Sequence, residues 1–274
     1  MAFKERLLQV AREANSLLCV GLDSDIEQIP SFIRREHGAR AVLEFNRRII
    51  EATNDLVCAY KLNLAFYEQL GPQGLEQLAE TVASIPKEIL KIADAKRGDI
   101  GNTARAYAKA LFDHYGFDAA TVNPYLGLET VQPFLTYHDR GIFVLCRTSN
   151  PGAREFQDLQ CEGKRLYIRV AEAVARANCC FGNLGLVVGA TWPEELKEIR
   201  GLVGDEIPIL IPGIGEQAGD LEKAVKYGTN SRGELAIINV SRAVIFASGG
   251  EGFAQAARVR AQRLREEIEH YRAP

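Results

Sequence analysis

Eight short apolar runs, separated by segments with helical spacing, constrain the fold of this sequence more than any other feature. The runs fall at 17–22, 57–61, 89–94, 119–123, 142–146, 184–188, 209–211 and 236–240. Most are apolar at nearly every position, as expected of strands covered on both faces in a parallel sheet. Between them, apolar residues recur with helical period over about 2–15, 38–54, 65–84 (with a break at Gly71-Pro72), 103–115, 127–138, 163–180, 193–199, 219–227 and 251–271. Eight strand–helix repeats in 274 residues predict a (β/α)8 TIM barrel forming a single domain over 1–274. A doubly wound open sheet shares the alternation but fits eight even repeats less well. No low-complexity stretch, linker or charge block divides the chain.

Composition limits the classes of function. A hydrophobic content of 47% with 25% charged residues predicts a water-soluble chain with a sizeable core. The formal net charge of -3 gives no polycationic surface, so nucleic acid is not an expected partner. No run approaches the ~18 apolar residues needed to cross a bilayer, so neither is a membrane. The opening residues, Met1 to Arg6, are charged and amphipathic and do not follow a secretory pattern. The six cysteines form no C-x-x-C pair, and with four scattered histidines no zinc spacing arises. A reducing cytoplasm is the expected location. Trp192 should pack at the start of the helix that Pro193 opens, with Thr191 as its candidate N-cap.

In such a barrel, chemistry gathers where strands end. Those positions carry Asp23, Lys61, Asp94 with Lys96, Asn123, Ser149, Gly189, the stretch Gly213 to Gln217, and Arg242. Asp94 and Lys96 are two apart, which on a regular strand puts both side chains on one face. Lys61, Asp94, Lys96 and Asp99 would alternate in sign around one point, each holding its neighbours ionised. A lysine kept as an ammonium donates a proton and is a poor amine nucleophile, which disfavours Schiff-base chemistry. It suits proton delivery to a carbon that has developed negative charge. A salt-bridge network bracing the barrel mouth is the structural alternative. The glycine-rich loop Pro212-Gly213-Ile214-Gly215-Glu216-Gln217, followed one strand later by Arg242, suits a phosphate between the last two strand ends.

The run Asp94-Ala95-Lys96-Arg97-Gly98-Asp99-Ile100 resembles the D-x-K-x-x-D-I signature of orotidine 5'-phosphate decarboxylases. Asn123-Pro124-Tyr125-Leu126-Gly127 and Arg147-Thr148-Ser149-Asn150-Pro151-Gly152 resemble the longer bacterial branch of that family. Ala218 stands where that family's phosphate loop has glycine. The resemblance implies decarboxylation of orotidine 5'-monophosphate to uridine 5'-monophosphate, without metal or organic cofactor. It implies that Lys96 protonates C6, that Asp94 faces the substrate carboxylate, and that Lys61 and Asp23 hold ribose hydroxyls. Ser149 would contact the pyrimidine, and Gly215, Gln217 and Arg242 the phosphate. It also implies a homodimer in which Asp99 and Thr103 are donated to the neighbouring site. Two other readings are a related sugar-phosphate barrel lyase, which would need a magnesium site, and a non-catalytic nucleotide-binding barrel.

Overall fold

The computed structural model describes residues 1–215 and 219–272. Its central strands are β1 (Leu18–Gly21), β2 (Ala59–Asn63), β3 (Leu90–Arg97), β4 (Ala119–Val122), β5 (Gly141–Arg147), β6 (Leu184–Val188), β7 (Ile209–Ile211) and β8 (Ala236–Val240). All pair in parallel in chain order, and β1 pairs with both β2 and β8, so the sheet closes into a (β/α)8 barrel. Every residue of β1, β4, β6, β7 and β8 is buried. This is the structural counterpart of the uninterrupted apolar runs, since strand faces meet barrel interior on one side and helices on the other.

Several helices depart from their predicted limits for local reasons. The 65–84 segment divides into Ala65–Glu68 and Gly71–Ser84, with Gly71 at φ +65° and Pro72 in the first turn of the second helix. The 127–138 segment is not one helix. After Gly127, at φ +97°, it forms a 3-10 turn at Leu128–Thr130 and a short helix at Gln132–Leu135. Thr191 does not cap the helix Pro193–Val203. Trp192 occupies that position, and the Thr191 hydroxyl instead donates to the Ser149 carbonyl at 3.1 Å.

The helix Phe3–Glu13 closes the end of the barrel where strands begin. It buries Phe3, Leu7, Val10 and Ala11, and the Phe3 ring packs edge-on to Phe143 with centroids 5.9 Å apart. A methyl group on Gly141, the first residue of β5, would come within 2.3 Å of that ring. Charged side chains of the helix then meet residues just ahead of three strands: Lys4 pairs with Glu206, Arg6 with Asp118 at 2.6 Å, and Arg12 with Glu234 at 2.7 Å. With that end sealed, the opposite mouth is left for a site.

Two strands are irregular at that mouth. Against β4, Ala93 pairs with Ala120 and Arg97 with Val122, so residues 94–96 lie opposite Thr121 alone. Against β6, Leu145 pairs with Val187 and Arg147 with Val188, leaving Cys146 as an extra residue. Such bulges bend a strand and re-aim its side chains.

Candidate active site

A cavity of about 410 Å³ opens at the strand ends. Its wall includes Asp23, Lys61, Asp94 and Lys96 on one side, and Ser149, Gly213 and Arg242 elsewhere around the rim. Six of the expected site residues (Asp23, Lys61, Asp94, Lys96, Ser149 and Arg242) are therefore brought to one space by β1, β2, β3, β5 and β8 and the turns that follow them.

Asp94 is the hub of the charged group. Its Oδ2 accepts from Lys61 Nζ at 3.0 Å and its Oδ1 from Lys96 Nζ at 2.6 Å. Lys61 Nζ also lies 3.4 Å from Asp23 Oδ1. Burial alone would raise the Asp94 carboxyl, but the charges and hydrogen bonds of Lys61 and Lys96 outweigh it and hold the group well below the usual carboxylate range. For Lys61 burial would lower the ammonium, and the charges of Asp23 and Asp94 outweigh it, holding it above the ordinary lysine value.

These shifts carry a stability signature. A carboxyl depressed in the folded state stabilises the fold above its unfolded value of about 3.9, and that contribution is lost as pH falls through the folded value. The raised lysine contributes fully below about pH 10.4 and loses its contribution only as pH rises through the higher folded value. Thermal unfolding followed on the acid side should therefore show a shallower fall in Asp94→Asn than in the parent chain. Identical acid slopes would contradict the pairing.

The convergence of Asp94 and Lys96 comes from the bulge in β3 and not from regular strand alternation. Lys96 sits at φ +47°, a left-handed conformation uncommon for residues with a Cβ. Its backbone N–H donates to Thr121 Oγ1 at 3.0 Å, and that hydroxyl donates in turn to Asp94 Oδ1 at 3.0 Å. Thr121, buried on β4, thus pins both halves of the bulge. Thr121→Val would leave the partly buried Lys96 N–H unpaired and remove one of the hydrogen bonds that orient the Asp94 carboxylate. Turnover is expected to fall about 10²-fold, the cost of a small misplacement of reacting groups, with Thr121→Ser retaining most activity. Steady-state kinetics of the two variants tests this.

At the far side, Gly213 and Gly215 adopt φ of +101° and +95°, which explains why glycine stands at both. A Cβ on Gly215 would approach Ala243 to 3.1 Å, so this turn packs directly against the segment that begins with Arg242. Gln217 and Ala218 lie outside the described residues. Asp99 and Thr103 do not line the cavity of their own chain. Asp99 accepts from the backbone N–H of Ile100 at 2.7 Å, and Thr103 is exposed on the helix Gly101–Lys109. Asn123 also stays outside, accepting from the Tyr125 N–H at 3.0 Å. Among the described residues, no three His, Cys, Asp or Glu side chains gather in a metal-binding group.

The chain matches the model of the orotidine 5'-phosphate decarboxylase / HUMPS family over residues 16–257. It is 52% identical to orotidine 5'-phosphate decarboxylase of Dehalococcoides mccartyi strain ATCC BAA-2266, over 99% of each chain. Its fold is similar to that of Leishmania donovani OMP decarboxylase, with a TM-score of 0.86 and 37% identity, over 99% of each chain. It also resembles Leishmania donovani UMP synthase, with a TM-score of 0.88 and 38% identity, covering 99% of this chain and 57% of that one. With a family match spanning most of the barrel and a full-length relative at this identity, the chain belongs to the orotidine 5'-phosphate decarboxylase family.

Proposed function

We propose that Lys96 delivers the proton to C6 of the pyrimidine in the decarboxylation of orotidine 5'-monophosphate to uridine 5'-monophosphate, the reaction of pyrimidine biosynthesis that this enzyme carries out. The carrying observation is the bridging of one largely buried carboxylate, Asp94, by two lysines at 3.0 and 2.6 Å on the cavity wall. Loss of carbon dioxide leaves charge on a ring carbon with little delocalisation, so preorganised charge is the available means of stabilising it. With the substrate carboxylate set against Asp94, two negative charges face each other in the ground state. The repulsion disappears as carbon dioxide leaves, while attraction to Lys96 grows at the carbon that receives its proton. Asp23 and Lys61 hold ribose hydroxyls, and Ser149 meets the pyrimidine. Arg242, with Gly215 and Gln217, holds the phosphate, whose remote binding energy helps order the reacting end.

The working unit in this reading is a homodimer, with Asp99 and Thr103 entering the partner's site. Its support is an exposed apolar surface close to Asp99: Ile100, Tyr125 and Leu126 are 62%, 82% and 50% exposed. A cytoplasmic location suits a chain whose six cysteines are all unpaired. The decisive assay follows loss of orotidine 5'-monophosphate absorbance in the presence of a chelator. Absence of turnover would sink the reading, and chelator-sensitive turnover would show that a metal ion takes part in it.

A further inference from the structure

Arg147, at the end of β5, is fully buried. Leu145, two residues earlier, lines the cavity, and regular alternation would send Arg147 there as well. The extra residue at Cys146 reverses the alternation, and Arg147 turns away into the surrounding layer. There its guanidinium carbon lies 4.2 Å from the centroid of the Trp192 ring and 5.6 Å from that of Tyr167. Nη2 is 3.2 Å from Asp158 Oδ1, and Nη1 donates to Gln157 Oε1 at 3.4 Å. The arrangement is costly, because the buried Nε of Arg147 has no hydrogen-bond partner among the described residues. An apolar side chain would fill the space without that penalty, so packing alone does not account for a guanidinium here.

Two of the groups around Arg147, Trp192 and Gln157, hold Thr148, the residue before Ser149. Trp192 Nε1 donates to the Thr148 carbonyl at 2.8 Å. Gln157 Oε1 accepts from the Thr148 N–H at 2.9 Å, and its amide nitrogen donates to Thr148 Oγ1 at 2.8 Å. On the opposite side, a Cβ at Gly189 would sit 2.7 Å from Ser149 Cα, so the Ser149 backbone rests directly on the chain leaving β6. The peptide is fixed from both sides, with Ser149 at the cavity wall.

We propose that Arg147 is a positioning residue that acts through Trp192 and Gln157 to hold the Thr148-Ser149 peptide against the pyrimidine, setting affinity for the base without touching it. The inference rests on placing the pyrimidine at Ser149. Trp192 is the single tryptophan of the chain, so its emission reports on this contact directly. Uridine 5'-monophosphate should produce a saturable change in Trp192 fluorescence, whereas ribose 5-phosphate, which lacks the base, should not.

Arg147→Lys keeps a charge but loses the stacking plane and the forked donors. It should weaken uridine 5'-monophosphate roughly tenfold, about one hydrogen bond's worth, while leaving ribose 5-phosphate affinity unchanged. Trp192→Phe, measured by calorimetry, should give the same split and decides the matter if the lysine variant does not fold. Equal weakening of both ligands, or no weakening of the nucleotide, overturns the proposal. Ser149→Ala separates the pyrimidine contact from the role of Arg147. A split in that variant alone leaves the pyrimidine placement standing and removes the role of Arg147, whereas no split in any of the three removes both.

Discussion

Replacing Lys96 by alanine is expected to reduce turnover by roughly 10⁴-fold or more, since it removes both a proton donor and the charge that stabilises the developing carbanion. Product binding should change far less. The ribose and phosphate contacts proposed for Asp23, Lys61 and Arg242 remain, and Asp94 keeps its 3.0 Å bond to Lys61. Lys96→Arg separates the two functions of the lysine. A guanidinium preserves the positive charge but does not release a proton near neutral pH. If charge alone were sufficient, the arginine variant would recover much of the activity. If proton delivery is required, both variants stay low while still binding uridine 5'-monophosphate. Near-normal turnover in Lys96→Ala would remove the assignment. Single-turnover kinetics with direct titration of product binding distinguishes these results.

The barrel is legible in the sequence because its strands are buried on both faces and read as apolar runs, and strand ends then locate the charged part of the cavity wall. Asp23, Lys61, Asp94, Lys96 and Arg242 were all visible in this way. Strand alternation would bring Asp94 and Lys96 to one face, whereas in the structure a bulge brings them together, with Lys96 at φ +47°. A bulge leaves no compositional trace in Asp94-Ala95-Lys96. The pin of that bulge was equally hidden. Thr121 occurs in Ala119-Ala120-Thr121-Val122, where a β-branched residue in a strand needs no special explanation. Arg147 illustrates the converse, since the alternation that correctly places Leu145 in the cavity would misplace Arg147 two residues later. Gly213 and Gly215 were legible because their positive φ values favour glycine.

Asp99, which sequence spacing sets beside Lys61, Asp94 and Lys96, stands apart from them within one chain, and its role makes the second large prediction. It lies just beyond β3, outside its own chain's cavity and next to exposed Ile100. If it completes the partner's site, Asp99→Ala should lose at least ~10²-fold in turnover, comparable with removal of other preorganised charge. Mixing decides whether that loss is local or crosses the dimer. A heterodimer of Lys96→Ala and Asp99→Ala chains would contain one site bearing both changes and one bearing neither. Random twofold pairing makes half the dimers mixed, so co-refolding two inactive proteins should restore about a quarter of the parent activity. If Asp99 instead served its own barrel, every site in every dimer would carry one defect, and mixing would restore nothing. Recovery on mixing thus requires a shared site, and its absence with dimers intact by ultracentrifugation would return Asp99 to its own chain.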